Sequence, residues 1–259
     1  MQPLSLTTAK LDLLRETTSG GSATGFFYEY GDLFYLITNW HVVTGINPVT
    51  QRALDEKTGF LPDRLTVHVK ISEKREGSII AVRSSSVDLL LLRDDEPTWI
   101  EHPSRNNVDV VALQFAPPEH WGNRTINSID LEHRLQPEAG CDCFIIGHPE
   151  GLSGPTLTPI WKRGAIATES HPAQNSFLVD SASRKGMSGA PVVARHDGLF
   201  GSNAGIMDDT IIGTVENFVG IYSGRVGDDA LGFQLGTVWK SDVLAAIFET
   251  KTAGHHPLI

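Results

Sequence analysis

Apolar and polar residues alternate along much of this chain with the two-residue period of a half-buried β-strand. Leu65-Thr66-Val67-His68-Val69-Lys70-Ile71 shows it most clearly: the aliphatic side chains fall on one face and Thr66, His68 and Lys70 on the other. Shorter apolar runs, Leu33-Phe34-Tyr35-Leu36-Ile37, Val87-Asp88-Leu89-Leu90-Leu91-Leu92, Val108-Asp109-Val110-Val111-Ala112-Leu113 and Phe177-Leu178-Val179, are separated by Gly- and Pro-bearing turns. Long helical periodicity is scarce. Near the end, Trp239, Val243, Leu244, Ile247 and Phe248 recur at helical spacing after Ser241-Asp242, an N-cap signal, and predict one packing helix over 238–250. Residues 1–19 are mixed and partly helical in pattern. The whole predicts an all-β protein.

Composition narrows the partners. With 259 residues, 40% of them hydrophobic, the chain can bury a core large enough for two packed barrels. A formal net charge of −10, with no Lys/Arg patch and no phosphate-cradling glycine loop, disfavours nucleic acid and leaves a protein or peptide as the expected partner. The two cysteines, Cys141 and Cys143, stand two apart on an expected strand, which disfavours a disulfide between them and supplies too few ligands for a metal. No metal or cofactor is expected. Reduced thiols, together with an N-terminal stretch that lacks a basic, then apolar leader pattern, lead to a cytoplasmic expectation. Asn123-Arg124-Thr125 matches a glycosylation acceptor only formally, and His255-His256 reads as a disordered tail rather than a ligand pair.

Two segments carry candidate chemistry. Gly186-Met187-Ser188-Gly189-Ala190-Pro191 places a serine between glycines, so that a sharp turn can aim backbone N–H groups at one point, as a nucleophile beside an oxyanion site requires. Ile37-Thr38-Asn39-Trp40-His41-Val42-Val43 puts a histidine at the end of an apolar run, and imidazole is a suitable base near neutral pH. Together they suggest Ser–His nucleophilic catalysis.

These segments resemble the chymotrypsin-like serine proteases, especially the bacterial Deg-type and trypsin-like branch. Gly21-Ser22-Ala23-Thr24-Gly25-Phe26-Phe27 is similar to the strand that opens that family's first barrel, Thr38-Asn39-Trp40-His41-Val42 to its histidine motif, and the Ser188 turn to its Gly-x-Ser-Gly-Gly-Pro. The resemblance runs from Gly20 to Gly236 and implies a single peptidase domain of two packed six-stranded antiparallel β-barrels. The first is expected over 20–115 and the second over 135–237, with an interbarrel linker over 116–134 and a C-terminal helix over 238–250. It implies Ser188 as nucleophile, His41 as base and the N–H groups of Gly186 and Ser188 as oxyanion donors. Two aspartates compete for the third position. Asp109 is preferred over Asp88 because one linker separates it from the family-like Gly147-His148-Pro149-Glu150-Gly151, whereas from Asp88 a whole strand intervenes. Ser153, in the superficially similar Gly151-Leu152-Ser153-Gly154-Pro155, falls in a surface loop of that register.

The departures from the family are informative. Met187 stands where digestive members carry an aspartate, so activation by an ion pair to a freed N-terminus is not expected. The resemblance puts the base of the substrate pocket at Ala182 and its wall along Tyr222, Ser223, Gly224 and Arg225. Ala182 has no carboxylate for a Lys or Arg side chain, which leads to an expectation of small or apolar side chains at the cleavage site, while Arg225 would instead invite an acidic one. Inserts over 47–63 and 93–107 either shape substrate access or are inert. A regulatory protein partner is possible by analogy. An endopeptidase leads; a protein-binding module with a dead triad and an esterase are the alternatives. The esterase is weakest because Ala190 replaces the glycine that follows a hydrolase nucleophile by two positions.

Overall fold

The computed structural model describes residues 1–75, 78–136, 138–201, 211–227 and 234–257. The first half contributes β1 (Thr8–Arg15), β2 (Thr18–Tyr30), β3 (Leu33–Thr38), the short helix α1 (Trp40–Thr44), β4 (Arg64–Arg75), β5 (Ser78–Leu90), a small hairpin of β6 (Leu92–Arg93) and β7 (Glu96–Pro97), β8 (Trp99–Glu101) and β9 (Val111–Phe115). The second contributes β10 (Asp142–Gly147), β11 (Ile160–Ile166), β12 (Ser176–Asp180), β13 (Pro191–Phe200), β14 (Ile211–Arg225) and β15 (Leu235–Lys240). The helix α2 (Val243–Thr250) and β16 (Thr252–Ala253) follow.

The all-β expectation holds, with a correction to the two closed barrels. The second half closes into a six-stranded ring in the order β10-β11-β12-β15-β14-β13. The first half is an eight-stranded sheet, β16-β8-β9-β3-β2-β1-β4-β5, whose ends are not joined among the described residues. The long β4–β5 hairpin, paired from Arg64↔Leu90 to Arg75↔Ser78, occupies one end and leaves β5 without a second neighbour. Residues 1–19, read as partly helical, hold one 3-10 turn (Pro3–Leu6) and then β1, which pairs with both β2 and β4.

The β4 alternation is seen as Leu65, Val67 and Val69, all fully buried. Lys70 breaks it, because the far face of the strand at that point is covered: Lys70 is 1% exposed and its ammonium donates to the Leu157 carbonyl at 3.3 Å. Each half has its own apolar core, the first around Leu11, Phe27, Leu36, Val67 and Trp99, the second around Cys143, Val179, Met187, Val192 and Val238. A third cluster seals the seam, joining Phe26, Ile37 and Val110 to Ile146, Val193 and Ile221 and to Val243, Leu244, Ile247 and Phe248 of α2. Phe248 lies among the rings of Tyr28, Tyr30 and Tyr35, at 5.3, 4.7 and 4.8 Å between centroids.

After α2 the chain goes back to the first half. β16 pairs with β8, the Gly254 N–H donates to the Trp99 carbonyl, and the Trp40 indole donates to the His255 carbonyl at 3.1 Å. The His255-His256 tail is therefore ordered, with His256 buried.

Candidate functional site

His41 sits on α1, which begins directly at the end of β3. Asn39 is extended there (φ −87°, ψ 153°), and its amide donates to the Asp109 carbonyl at 2.7 Å instead of capping the helix. Gly45 ends α1 at φ +71°, where a Cβ would lie 2.8 Å from Pro62 and 2.9 Å from the Phe60 carbonyl, so only glycine fits the turn. Asp109 precedes β9 with Val108 and Val110 buried on either side. Its Oδ1 accepts the His41 backbone N–H at 2.9 Å, and its Oδ2 accepts from His41 Nδ1 at 2.6 Å and from the Ser223 hydroxyl at 2.5 Å. With Nδ1–H given to the carboxylate, the neutral ring has Nε2 as its basic nitrogen. The pair is sheltered, His41 being 13% and Asp109 3% exposed at the side chain.

Ser188 lies in a turn with Gly186 at φ +88° and Gly189 at φ +83°. A Cβ at Gly189 would meet the Thr24 carbonyl at 2.1 Å and Thr38 Oγ1 at 2.3 Å; one at Gly186 would meet the His148 carbonyl at 2.5 Å. The turn is tied to β14 by Gly189 N–H to the Tyr222 carbonyl and Tyr222 N–H to the Ala190 carbonyl, both 2.8 Å. The Ser188 hydroxyl donates to the Ser223 carbonyl at 3.0 Å. Among the described residues, the Gly186 and Ser188 N–H groups have no acceptor.

One cavity is lined by His41, Asp109 and Ser188 together with Ser223, Gly224 and Arg225. A second is lined by His41, Gly186 and Ser188 with Lys10, Glu150 and Lys185. Both inserts reach this region: 47–63 supplies Val49 to the first cavity and Leu54 to both, and 93–107 supplies Arg105 to the first.

Two of the expected pocket residues lie elsewhere. Tyr222 is 1% exposed within the second core, its hydroxyl bonded to that of Ser183, and Ala182 does not line the cavity. Asp88 is not brought to His41. It is half exposed on β5, where it accepts from the Thr66 hydroxyl at 2.6 Å and lies 3.6 Å from Arg64 Nε. Ser153 is bonded to His148 Nδ1 at 2.8 Å. His148 is fully buried and its Nε2 has no partner among the described residues, and burial, with Lys70 next in importance, pushes its pKa down to about 3. Met187 is fully buried in the second core. Among the described residues, no group of three or more His, Cys, Asp or Glu side chains is placed to hold a metal, and no helix is long and apolar enough to cross a membrane.

Ser223 was anticipated only as a pocket wall, yet its hydroxyl is a third donor to Asp109. No sequence spacing reports a contact between residues 114 positions apart.

Residues 23–201 match the family model of the trypsin-like peptidase domain. No curated protein matches the chain in sequence. Among solved structures, it resembles a serine endoprotease from Yersinia pestis at 14% identity and a TM-score of 0.53, the match covering 96% of this chain and 64% of that one. It also resembles the Rv3671c protease of M. tuberculosis in its inactive form, at 14% identity and a TM-score of 0.50, covering 95% of this chain and 89% of that one. At such identities the likeness is one of fold. The chain thus spans less than two thirds of the length of the Yersinia protein.

Proposed function

This chain belongs to the trypsin-like peptidase family, and from that membership we propose that it is a serine endopeptidase that hydrolyses peptide bonds by acyl transfer through His41, Asp109 and Ser188. The observation that carries this reading is the buried Asp109 carboxylate holding His41 Nδ1 at 2.6 Å in the cavity that Ser188 also lines. Nε2 takes the Ser188 proton as Oγ attacks the peptide carbonyl, and Asp109 stabilises the imidazolium that results. The Gly186 and Ser188 N–H groups hold the oxyanion, each such donor lowering the barrier by about 3 kcal/mol. His41 then passes the proton to the leaving amine. A water, activated by the same nitrogen, hydrolyses the acyl-enzyme.

Small or apolar side chains are the proposed preference at the cleavage site. Ala182 offers no carboxylate, Tyr222 and Ser183 are buried and bonded to each other, and Trp40, Val49, Leu54 and Val108 give the cavity apolar walls.

One observation favours a second reading, a protease-fold protein-binding module without turnover: the Ser188 hydroxyl is bonded to the Ser223 carbonyl rather than to His41. The hydroxyl proton must leave that carbonyl before it can pass to His41. A fluorophosphonate probe separates the two readings. Labelling of the wild type but not of Ser188→Ala, with casein cleavage lost in parallel, supports the peptidase; a folded wild type that is not labelled supports the module.

A further inference from the structure

We propose that Thr24, which lies in the first half of the molecule, is a positioning residue that sets the oxyanion donors of the second half; this rests on the catalytic reading above. Thr24 is fully buried on β2, and every polar group it has is used. Its N–H donates to the Ser188 carbonyl at 2.9 Å, and its hydroxyl donates to the Gly186 carbonyl at 2.7 Å while accepting the His148 N–H at 3.0 Å. Its own carbonyl accepts the Thr38 hydroxyl at 2.9 Å.

The consequence follows from the planarity of the peptide bond. In a trans peptide, a carbonyl held to one side sends the N–H of the next residue to the other. Each carbonyl from 185 to 188 is held: Lys185 by the Glu150 N–H at 2.7 Å, Gly186 by the Thr24 hydroxyl, Met187 by the Ala190 N–H at 3.0 Å and Ser188 by the Thr24 N–H. The whole turn is thereby locked plane by plane. The Lys185 and Met187 carbonyls aim the Gly186 and Ser188 N–H groups; the bond from the Thr24 hydroxyl stops the one plane between them, Gly186–Met187, from rotating, and the bond from the Thr24 N–H fixes the plane that follows Ser188. Glu150, which holds Lys185, belongs to the His148-Pro149-Glu150-Gly151 turn, and that turn is itself fastened to the Thr24 hydroxyl through the His148 N–H. Serine preserves this donor-and-acceptor role; valine has nearly the shape of threonine and neither function.

Thr24→Val and Thr24→Ser are compared with the wild type for kcat and KM on a peptide substrate, for thermal unfolding, and for the amide resonances of Gly186 and Ser188. Thr24→Val is expected to lower kcat about 10- to 100-fold with KM within about twofold, since a misplaced transition-state donor costs rate rather than binding. It should also shift both amide resonances. Thr24→Ser should stay within about threefold of wild-type kcat and keep the resonances in place. The proposal is overturned if Thr24→Val retains wild-type kcat and resonances, or if Thr24→Ser is as damaging as Thr24→Val. Thr24→Ala supplies the same deletion should Thr24→Val fail to fold; failure of both to fold while Thr24→Ser folds also overturns it, by making the hydroxyl a requirement for stability alone. The resonances need no turnover, so a wild type that neither labels nor cleaves sinks the peptidase reading while the amide shifts still decide the role of Thr24.

Discussion

Replacing His148 by asparagine should flatten the acid limb of the stability profile. His148 is fully buried, with Ser153 on Nδ1, no partner among the described residues on Nε2 and the ammonium of Lys70 as the leading charge acting on it, so the fold accepts it only as the neutral ring. Its pKa falls from 6.5 in the open chain to about 3 in the fold. The sign is set by proton uptake: between those values the unfolded chain binds a proton that the folded chain refuses, so stability is highest above 6.5 and is lost as pH falls. One such group gives a slope of about 1.4 kcal/mol per pH unit, or about 2 kcal/mol between roughly pH 7 and pH 5. Lys10 and His68 push in the same direction, and Asp12 is paired with both. Urea unfolding at several pH values in that window measures the difference directly. His148→Asn should lose at least half of the wild-type slope, and equal slopes for the two proteins would refute the assignment of acid sensitivity to this ring.

Three further outcomes are expected. Asp109→Asn should lower kcat by about 10⁴-fold by presenting the wrong tautomer of His41, whereas Asp88→Asn, on an exposed strand, should leave it within about twofold; equal losses would contradict the site geometry. Lys70→Met should raise stability at neutral pH by about 2 kcal/mol in urea, because it removes a charge whose burial costs more than one long hydrogen bond returns. Since burial lowers the Lys70 pKa to about 8, wild-type stability should also rise with pH between about 8 and 10.5, and the methionine variant should lack that rise. A peptide library should be cut after small or apolar residues; a profile dominated by lysine or arginine would overturn the proposed preference.

What could be read from the sequence is what local chemistry encodes. The β4 alternation and the apolar runs depend on neighbours a few residues away and appear as expected; the C-terminal helix is shorter than the expected 238–250, spanning Val243–Thr250, because Trp239 and its neighbours through Lys240 pair as β15, and Asp242 makes no side-chain cap. The glycine-flanked serine and the histidine at the end of β3 are likewise local, and the fold brings both, with Asp109, to one cavity. Contacts fixed by packing between distant segments could not be read. The burial of Lys70 depends on a loop near residue 157, the withdrawal of Tyr222 from the expected pocket on its bond to Ser183, and the roles of Ser223 and Thr24 on partners more than 100 residues away. The strand β1 was missed although Ala9, Leu11 and Leu13 alternate with Lys10 and Asp12: the run is short, and Leu14 breaks it where the register against β2 shifts. Whether the first sheet closes depends on pairing between distant strands, which local pattern does not report.

The path of the last residues bears on how the protein is made. Because β16 pairs with β8 and the segment behind it reaches Trp40, beside His41, the first sheet acquires its final strand only after a ribosome has passed Ala253. Until then the emerging polypeptide holds an imidazole whose surroundings are incomplete. The surroundings of the base are thus completed by a segment 215 positions from Trp40 in sequence, so His41 lacks its final setting until both halves have been made.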